Sequence, residues 1–383
     1  MNGLLLGSVA VLLLLSPEII AAAEMRLDSP RDYQIVQRSS RGDAAVRIAG
    51  TISEDPEAAQ AAVEARLTRA GKEAPWRRIG GLAKGRDFTG TLIAPAGGWW
   101  TLEVRIPLGG GRVATGSVAH VGIGEVFVVA GQSNSANHGE ERQRPRTGRV
   151  STFDGTTWRL ADDPQPGASG NGGSFLPAFG DAVAVSQDVP VGIVACGIGA
   201  TSVREWLPKG FSFPNAPTLT DRAVPLSNGS WASNGMAFDA FVDRMKPFGP
   251  GGFRAVLWHQ GESDANQQDP TRTLPGALYR RYLEILIRES ERAIGWDPPW
   301  FVAQASYHAP GDEGSDDIRA AQASLWKDAV ALEGPDTDAL KGPLREGGGR
   351  GVHFSAAGLR EHGYRWAEKV IYWLEKQQAE PRQ

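Results

Sequence analysis

The sequence predicts an α/β protein: a largely parallel sheet covered on both faces by helices, preceded by a small β-sandwich. Three observations predict it. From about Arg26 to His120, short alternating apolar stretches are separated by turn residues. From Glu125 on, buried strands alternate with stretches of helical period. The composition is that of a globular chain: 383 residues, 41% hydrophobic and 22% charged, long enough for two domains and unlike disordered, collagenous or coiled-coil sequences.

The elements can be justified in chain order. Leu4 to Leu15 is a nearly unbroken apolar run. At ~1.5 Å per residue it is too short to cross a ~30 Å hydrocarbon core as a mature span. Ala21-Ala22-Ala23 offers a small-residue cleavage site before Glu24, so residues 1–23 read as a secretory signal peptide, although no Lys or Arg precedes the run. A retained N-terminal anchor is the alternative. The expectation is a secreted or periplasmic protein with no membrane association after cleavage.

Residues 24–119 are expected to form the sandwich. In Trp99 to Ile106, Leu102, Val104 and Ile106 fall on one face, and Thr101, Glu103 and Arg105 on the other. Ala58 to Leu67 passes for a short helix, but Ala62 to Leu67 also alternates. Trp99 and Trp100 offer a carbohydrate platform, although core packing is the commoner use of such residues.

Residues 120–376 are expected to form the α/β domain. Val126–Ala130, Val191–Ala195, Ala255–Trp258 and Trp300–Ala305 read as strands. Ser174–Ser186, Leu278–Ile294, Asp316–Leu332 and Ser355–Lys376 read as helices. Tyr279, Tyr282, Leu283, Leu286 and Ile287 give the third segment its helical stripe. Ser355 is placed as an N-cap. Residues 377–383 are expected to fray.

Charge and cysteine usage exclude several classes. Forty basic against forty-four acidic side chains give −4, and no basic run offers a field for nucleic acid. The single cysteine, Cys196, excludes an internal disulfide and Cys-rich zinc sites.

In open α/β sheets, sites form at the carboxyl ends of strands. Four polar blocks fall there or beside them. The first is Gly131-Gln132-Ser133-Asn134-Ser135, which is not a G-x-S-x-G elbow because its fifth residue is Ser135. The second, Gly197 to Trp206, opens with small residues that let backbone N–H groups approach a ligand. The third is Trp258-His259-Gln260-Gly261-Glu262-Ser263-Asp264. His259 and Glu262 lack the spacing and number of ligands that zinc needs, and no metal is expected. The fourth is Gly351-Val352-His353-Phe354-Ser355, after the glycines 347–349.

Together the blocks suit acyl transfer. A serine hydroxyl needs a base, a histidine supplies one, and a carboxylate fixes the histidine tautomer. The oxyanion needs preorganised donors, each worth roughly 3–4 kcal/mol. Ser133, Gly199, Gln260, Glu262 and His353 cover these roles.

The four blocks, with the approach Val121 to Phe127, resemble the SGNH-hydrolase superfamily, and within it the sialate O-acetylesterase and acetyl xylan esterase branch. The resemblance spans about residues 120–375. It implies a three-layer α/β/α, flavodoxin-like domain that releases acetate from an acetylated carbohydrate without a cofactor. It makes Ser133 the nucleophile and His353 the general base. The Ser133 and Gly199 N–H groups and the Gln260 amide would form the oxyanion hole. Relatives often carry an aspartate three residues before the histidine; here that position is Arg350, and the resemblance to carbohydrate esterases in which the glutamate of the His-Gln-Gly-Glu block takes that role implies Glu262 as the acid, followed by Asp264, Asp336 or Asp338. Ala200 replaces the second glycine of the usual turn. Asn134, Trp206 and His259 are the substrate-contact candidates. Trp158, Trp206 and Trp258 could stack on sugar rings, with core packing the equal or better use. The glycan, the acyl preference and the oligomeric state are not legible.

Overall fold

The computed structural model describes residues 23–53, 61–83 and 86–379. The expected signal segment lies, Ala23 apart, outside the described residues, as do residues 380–383.

One strand organises the molecule. Val113–Gly131 runs for 19 residues. Its first part pairs antiparallel with Gly97–Pro107, and its second part runs parallel to both Val191–Ala195 and Ala255–His259. The burial pattern changes along it. Exposed and buried residues mix up to His120, and every residue from Val121 to Gly131 is buried. Mixed burial suits a sheet with a solvated face, and continuous burial suits a sheet covered on both faces. The expected domain boundary at 119/120 therefore falls inside a single strand.

The parallel part is ordered Val150–Phe153, Val191–Ala195, Val113–Gly131, Ala255–His259, Trp300–Gln304, Leu332–Asp336, with Trp158–Leu160 added antiparallel at one edge. After the central strand the chain builds one side of the sheet, then crosses to the other. The switch lies between Val191–Ala195 and Ala255–His259, so the crevice opens at the carboxyl end of the central strand.

Helices cover both faces. Leu176–Gln187 and Ala356–Ala379 pack on Phe127, Val129, Ile193 and Leu257. Met236–Met245, Gly276–Ile294 and Asp316–Lys327 pack on Val126, Val128, Val256 and Trp258. The predicted stripe of the long helix, Tyr279 to Ile287, is buried. Ser355 caps the last helix by accepting the Gly358 N–H at 3.2 Å.

The described residues from Met25 to Val113 are mainly antiparallel strands around a separate apolar cluster that includes Val46, Ile48, Leu102 and Val104. Ala62–Arg69 is a strand with Val63, Ala65 and Leu67 buried, so alternation and not helical character decides that segment. Trp99 packs at the junction, donating its indole N–H to the Gly148 carbonyl at 2.9 Å.

Several elements differ from expectation, and the strands Val150–Phe153 and Trp158–Leu160 were not anticipated. The helix expected through Leu332 stops at Lys327; Ala329 takes φ 56°, and Leu332–Asp336 becomes the edge strand. The helix Met236–Met245 was not anticipated, although Phe238, Phe241, Val242 and Met245 have its period. The last helix continues to Ala379, beyond the expected fray point.

A buried carboxylate ties the two parts together. Glu125, fully buried at the start of the parallel pairing, accepts from Arg38 at 2.6 Å, Arg254 at 2.5 Å and Gln37 at 2.9 Å. Gln37 in turn accepts the Val126 N–H at 2.8 Å. Two guanidiniums and an amide offset the desolvation of one carboxylate.

Candidate active site

Gly131 ends the central strand at φ 126°, where a Cβ would sit 2.0 Å from the His259 carbonyl oxygen. Only glycine fits that approach, and it turns the chain into the short helical turn Ser133–Ser135. Gln132 anchors this turn. Its N–H donates to the His259 carbonyl at 2.9 Å, and its Oε1 accepts the Ser263 N–H at 3.0 Å. Ser133 is thus held at the crevice, on the wall of an open cavity of about 670 Å³. Gly199, Ala200, Glu262 and His353 share that wall. The sequence places these residues far apart, and the fold brings them to one site.

His353 is held by a carboxylate that sequence reasoning missed. Its Nδ1 lies 2.9 Å from Glu346 Oε1, which also accepts the His353 N–H at 3.1 Å. The backbone closes the loop, with the Glu346 N–H donating to the His353 carbonyl at 2.9 Å. Gly347, Gly348 and Gly349 all have positive φ, and this turn folds Glu346 back beside His353. The glycine run is the device that places Glu346 beside His353. No spacing rule would have found Glu346, because its approach depends on three left-handed residues.

Glu262, the expected acid, sits elsewhere in the structure. It is 3% exposed, its Oε1 accepts from Asn134 at 2.9 Å, and its Oε2 has no hydrogen-bond partner among the described residues. It lines the cavity without an ion pair to His353. Asp264 is buried behind the site, accepting from Ser202, the Val203 N–H, Gln260 and Arg204. Asp336 and Asp338 are paired with Arg319. Among the described residues, none of these three forms a hydrogen bond or ion pair with His353.

The oxyanion candidates also need correction. Gln260 is fully buried, and its amide donates to Asp264 at 2.7 Å, the Thr201 carbonyl at 3.1 Å and Gln132 at 3.2 Å. It braces the loops from behind and does not reach the cavity. The Gly199 N–H faces the site but donates to Ser169 Oγ at 2.6 Å. Among the described residues, the Ser133 N–H makes no hydrogen bond to another element. Ala200 takes φ 58° beside it.

The substrate-contact candidates prove to be structural. Asn134 links Glu262 to the Val352 carbonyl and is 5% exposed. His259 is 1% exposed and bonds Thr337 at 2.8 Å; burial pulls its pKa below the usual value. Trp206 is fully buried, donates to Thr201 at 2.9 Å and packs edge-on against Trp258. Trp158 is also buried in the core.

Two further histidines line the cavity. His138 stacks on His353 with centroids 5.4 Å apart, and its Nε2 lies 3.0 Å from Ser169 Oγ. His308 is held between Asp312, 2.6 Å from its Nδ1, and the Glu262 carbonyl. Arg222 also faces the cavity, 3.5 Å from Glu205. Burial pushes the Glu205 carboxyl up to about 7, even though it accepts the Ser202 N–H in a capping box.

Residues 123–372 match the family model described as carbohydrate esterase, sialic acid-specific acetylesterase. The chain belongs to this esterase family. It is a carboxylic ester hydrolase of the acetylesterase kind, and the serine–histidine cavity lies within the matched region. A search of curated proteins finds no match. Among solved structures, a novel carbohydrate acetylesterase from Xanthomonas citri shares the fold. It has a TM-score of 0.52 and 19% identity, over 89% of this chain and 73% of that one. An Arabidopsis thaliana protein gives a TM-score of 0.45 at 19% identity, over 65% and 98% of the two chains. A family two carbohydrate esterase from Clostridium thermocellum, solved with cellohexaose, gives 0.36 at 12% identity over 87% and 90%.

Proposed function

We propose that this esterase is a secreted carbohydrate O-acetylesterase of the SGNH type, in which Ser133 is the nucleophile, His353 the general base and acid, and Glu346 the carboxylate that positions His353. The N-terminal strands would form an accessory β-sandwich. One observation carries the proposal: Ser133 and His353 line the same cavity, and the His353 Nδ1 is engaged by a carboxylate at 2.9 Å. That contact leaves Nε2 for the serine hydroxyl. The cavity, about 670 Å³, is large enough for a sugar residue and its ester.

Ser133 Oγ attacks the acetyl carbonyl carbon while His353 takes its proton. Glu346 steadies the resulting imidazolium. The tetrahedral intermediate collapses, the bond to the sugar oxygen breaks, and His353 returns the proton to that oxygen. Water then attacks the acyl-enzyme; His353 accepts its proton and restores it to Ser133 as acetate departs. Glu262, carried as the acid in the sequence reading, holds Asn134 and the first block in place.

The test is acetate release from acetylated plant, algal and sialylated glycans by wild type, Ser133→Ala and His353→Ala. Each substitution should lower kcat by at least about 10³-fold. A panel of acyl chain lengths should favour acetate. Wild-type turnover by Ser133→Ala would overturn the assignment.

A further inference from the structure

The expected third oxyanion donor, Gln260, is spent on the buried network, and the Gly199 N–H is already bonded to a side chain. The group that holds it is Ser169. Its Oγ lies 2.6 Å from the Gly199 nitrogen and 3.0 Å from His138 Nε2, and all three residues line the cavity with Ser133.

We propose that the Ser169 hydroxyl is the oxyanion donor that stands in for the expected side-chain amide, relaying the Gly199 N–H to the substrate, with His138 as the positioning residue that aims it. The inference rests on the Ser133–His353 reading. It deepens that reading by assigning two residues that no motif named.

The hydrogen-bond inventory gives the reason. A hydroxyl has two acceptor lone pairs and one proton. The Gly199 N–H occupies one lone pair. With its Nε2 protonated, His138 occupies the other. The single Ser169 proton must then point away from both, and the remaining open direction is the cavity. In that tautomer His138 Nδ1 is left as an acceptor. Burial and the neighbouring His353 ring hold the His138 pKa below the usual value, which keeps it neutral while His353 gains and loses its proton.

The backbone holds Ser169 still. Its N–H donates to the Gly197 carbonyl at 2.9 Å, and its carbonyl accepts the Asn137 N–H at 2.9 Å. Gly199 is required for the same reason. A Cβ there would lie 2.7 Å from His138 Nε2 and 3.4 Å from Ser169 Oγ, displacing the pair. The first and second blocks are therefore joined through Ser169, on a loop the sequence reading left unassigned.

No bond to carbon forms or breaks at Ser169. Its O–H hydrogen bond strengthens as the carbonyl oxygen gains negative charge, and the proton stays on Ser169 throughout. This is a transition-state interaction, so its loss should appear in kcat more than in KM.

The test compares Ser169→Ala, Ser169→Thr, His138→Gln and Ser133→Ala. Two readouts are used: kcat and KM for a small aryl acetate, and the rate at which a small fluorophosphonate labels Ser133. Ser169→Ala should lower kcat about 10- to 100-fold with KM within about threefold, and slow labelling to a similar degree. Ser169→Thr, which keeps the hydroxyl, should recover most of both rates. His138→Gln, which can still donate to Ser169, should fall between them. An unchanged or raised kcat in Ser169→Ala would overturn the inference, since Ser169 would then be a bystander or a plug over Gly199. Ser133→Ala separates the two levels. If it abolishes turnover and labelling while Ser169→Ala changes neither, only the Ser169 inference fails. If Ser133→Ala remains active, the underlying reading fails.

Discussion

Replacing Glu346 by Gln separates two candidate acids. The substitution keeps an acceptor oxygen beside His353 and removes the charge. The contact is a 2.9 Å hydrogen bond, and the side chains of His353 and Glu346 are 22% and 29% exposed. A hydrogen bond to a charged group contributes about 1.5–3 kcal/mol, and partial exposure places this one toward the lower end. At about 1.4 kcal/mol per tenfold, kcat should fall roughly 10- to 100-fold. That is well short of the ~10⁴-fold loss on neutralising a buried triad acid. Glu262→Gln is the control. Its Oε1 can still accept from Asn134, so the first block stays in place and kcat should change less than in Glu346→Gln. The assay is acetate release against pH, with melting temperatures to exclude unfolding. A loss of about 10³-fold in Glu262→Gln, with Glu346→Gln within about threefold of wild type, would refute the reasoning. It would show that the imidazole turns onto Glu262 in the working enzyme.

Glu125→Gln should lower unfolding free energy by about 3–5 kcal/mol in urea titration, because it leaves the Arg38 and Arg254 guanidiniums without their buried counter-charge; a change under about 1 kcal/mol would contradict this. The Glu205 carboxyl titrates at about 7 in the fold against an ordinary value near 4.5, so the folded state binds more protons between those values. Its contribution to stability is therefore greatest below about pH 4.5 and declines as pH rises to about 7, by up to roughly 3 kcal/mol. Glu205→Gln should flatten that part of the stability profile, and an unchanged profile would count against it. Gly131→Ala should lower activity and stability together, measured by acetate release and melting temperature, because the new Cβ would overlap the His259 carbonyl at 2.0 Å. A fully active, equally stable variant would show that the strand end relaxes easily.

Much of the scaffold was legible because its signals are local. The stripe from Tyr279 to Ile287 and the apolar run Val126 to Ala130 needed only period and burial to be read, and both occupy the expected elements. The edge strand Leu332–Asp336 was hidden because the apolar residues from Ile318 onward run on into it, and the break is a backbone conformation at Ala329. The two halves of Val113–Gly131 looked like separate domains because their hydrophobic periods differ, a difference the structure shows as mixed and then continuous burial along one strand.

The site was legible only where a residue type names its own chemistry. Ser133 and His353 stood out, and the structure brings both to one cavity. Glu262, Gln260, His259 and Trp206 carried suitable functional groups at promising positions. The sequence could not show that three of them are turned inward and hydrogen-bonded within the interior, or that Glu262 is bonded to Asn134. Glu346, Ser169 and His138 are brought to the site by backbone turns and a loop crossing, which leave no periodic trace. The fold could be read from side-chain patterns; the acid and the oxyanion donors depend on backbone geometry.

The most direct test of the central claim is rapid-quench mass spectrometry of the enzyme mixed with an acetylated substrate. The account predicts a transient acetyl group on the peptide that carries Ser133, absent from Ser133→Ala and formed far more slowly by His353→Ala. Undiminished acetate release by Ser133→Ala, or an acetyl adduct on a different residue, would contradict it.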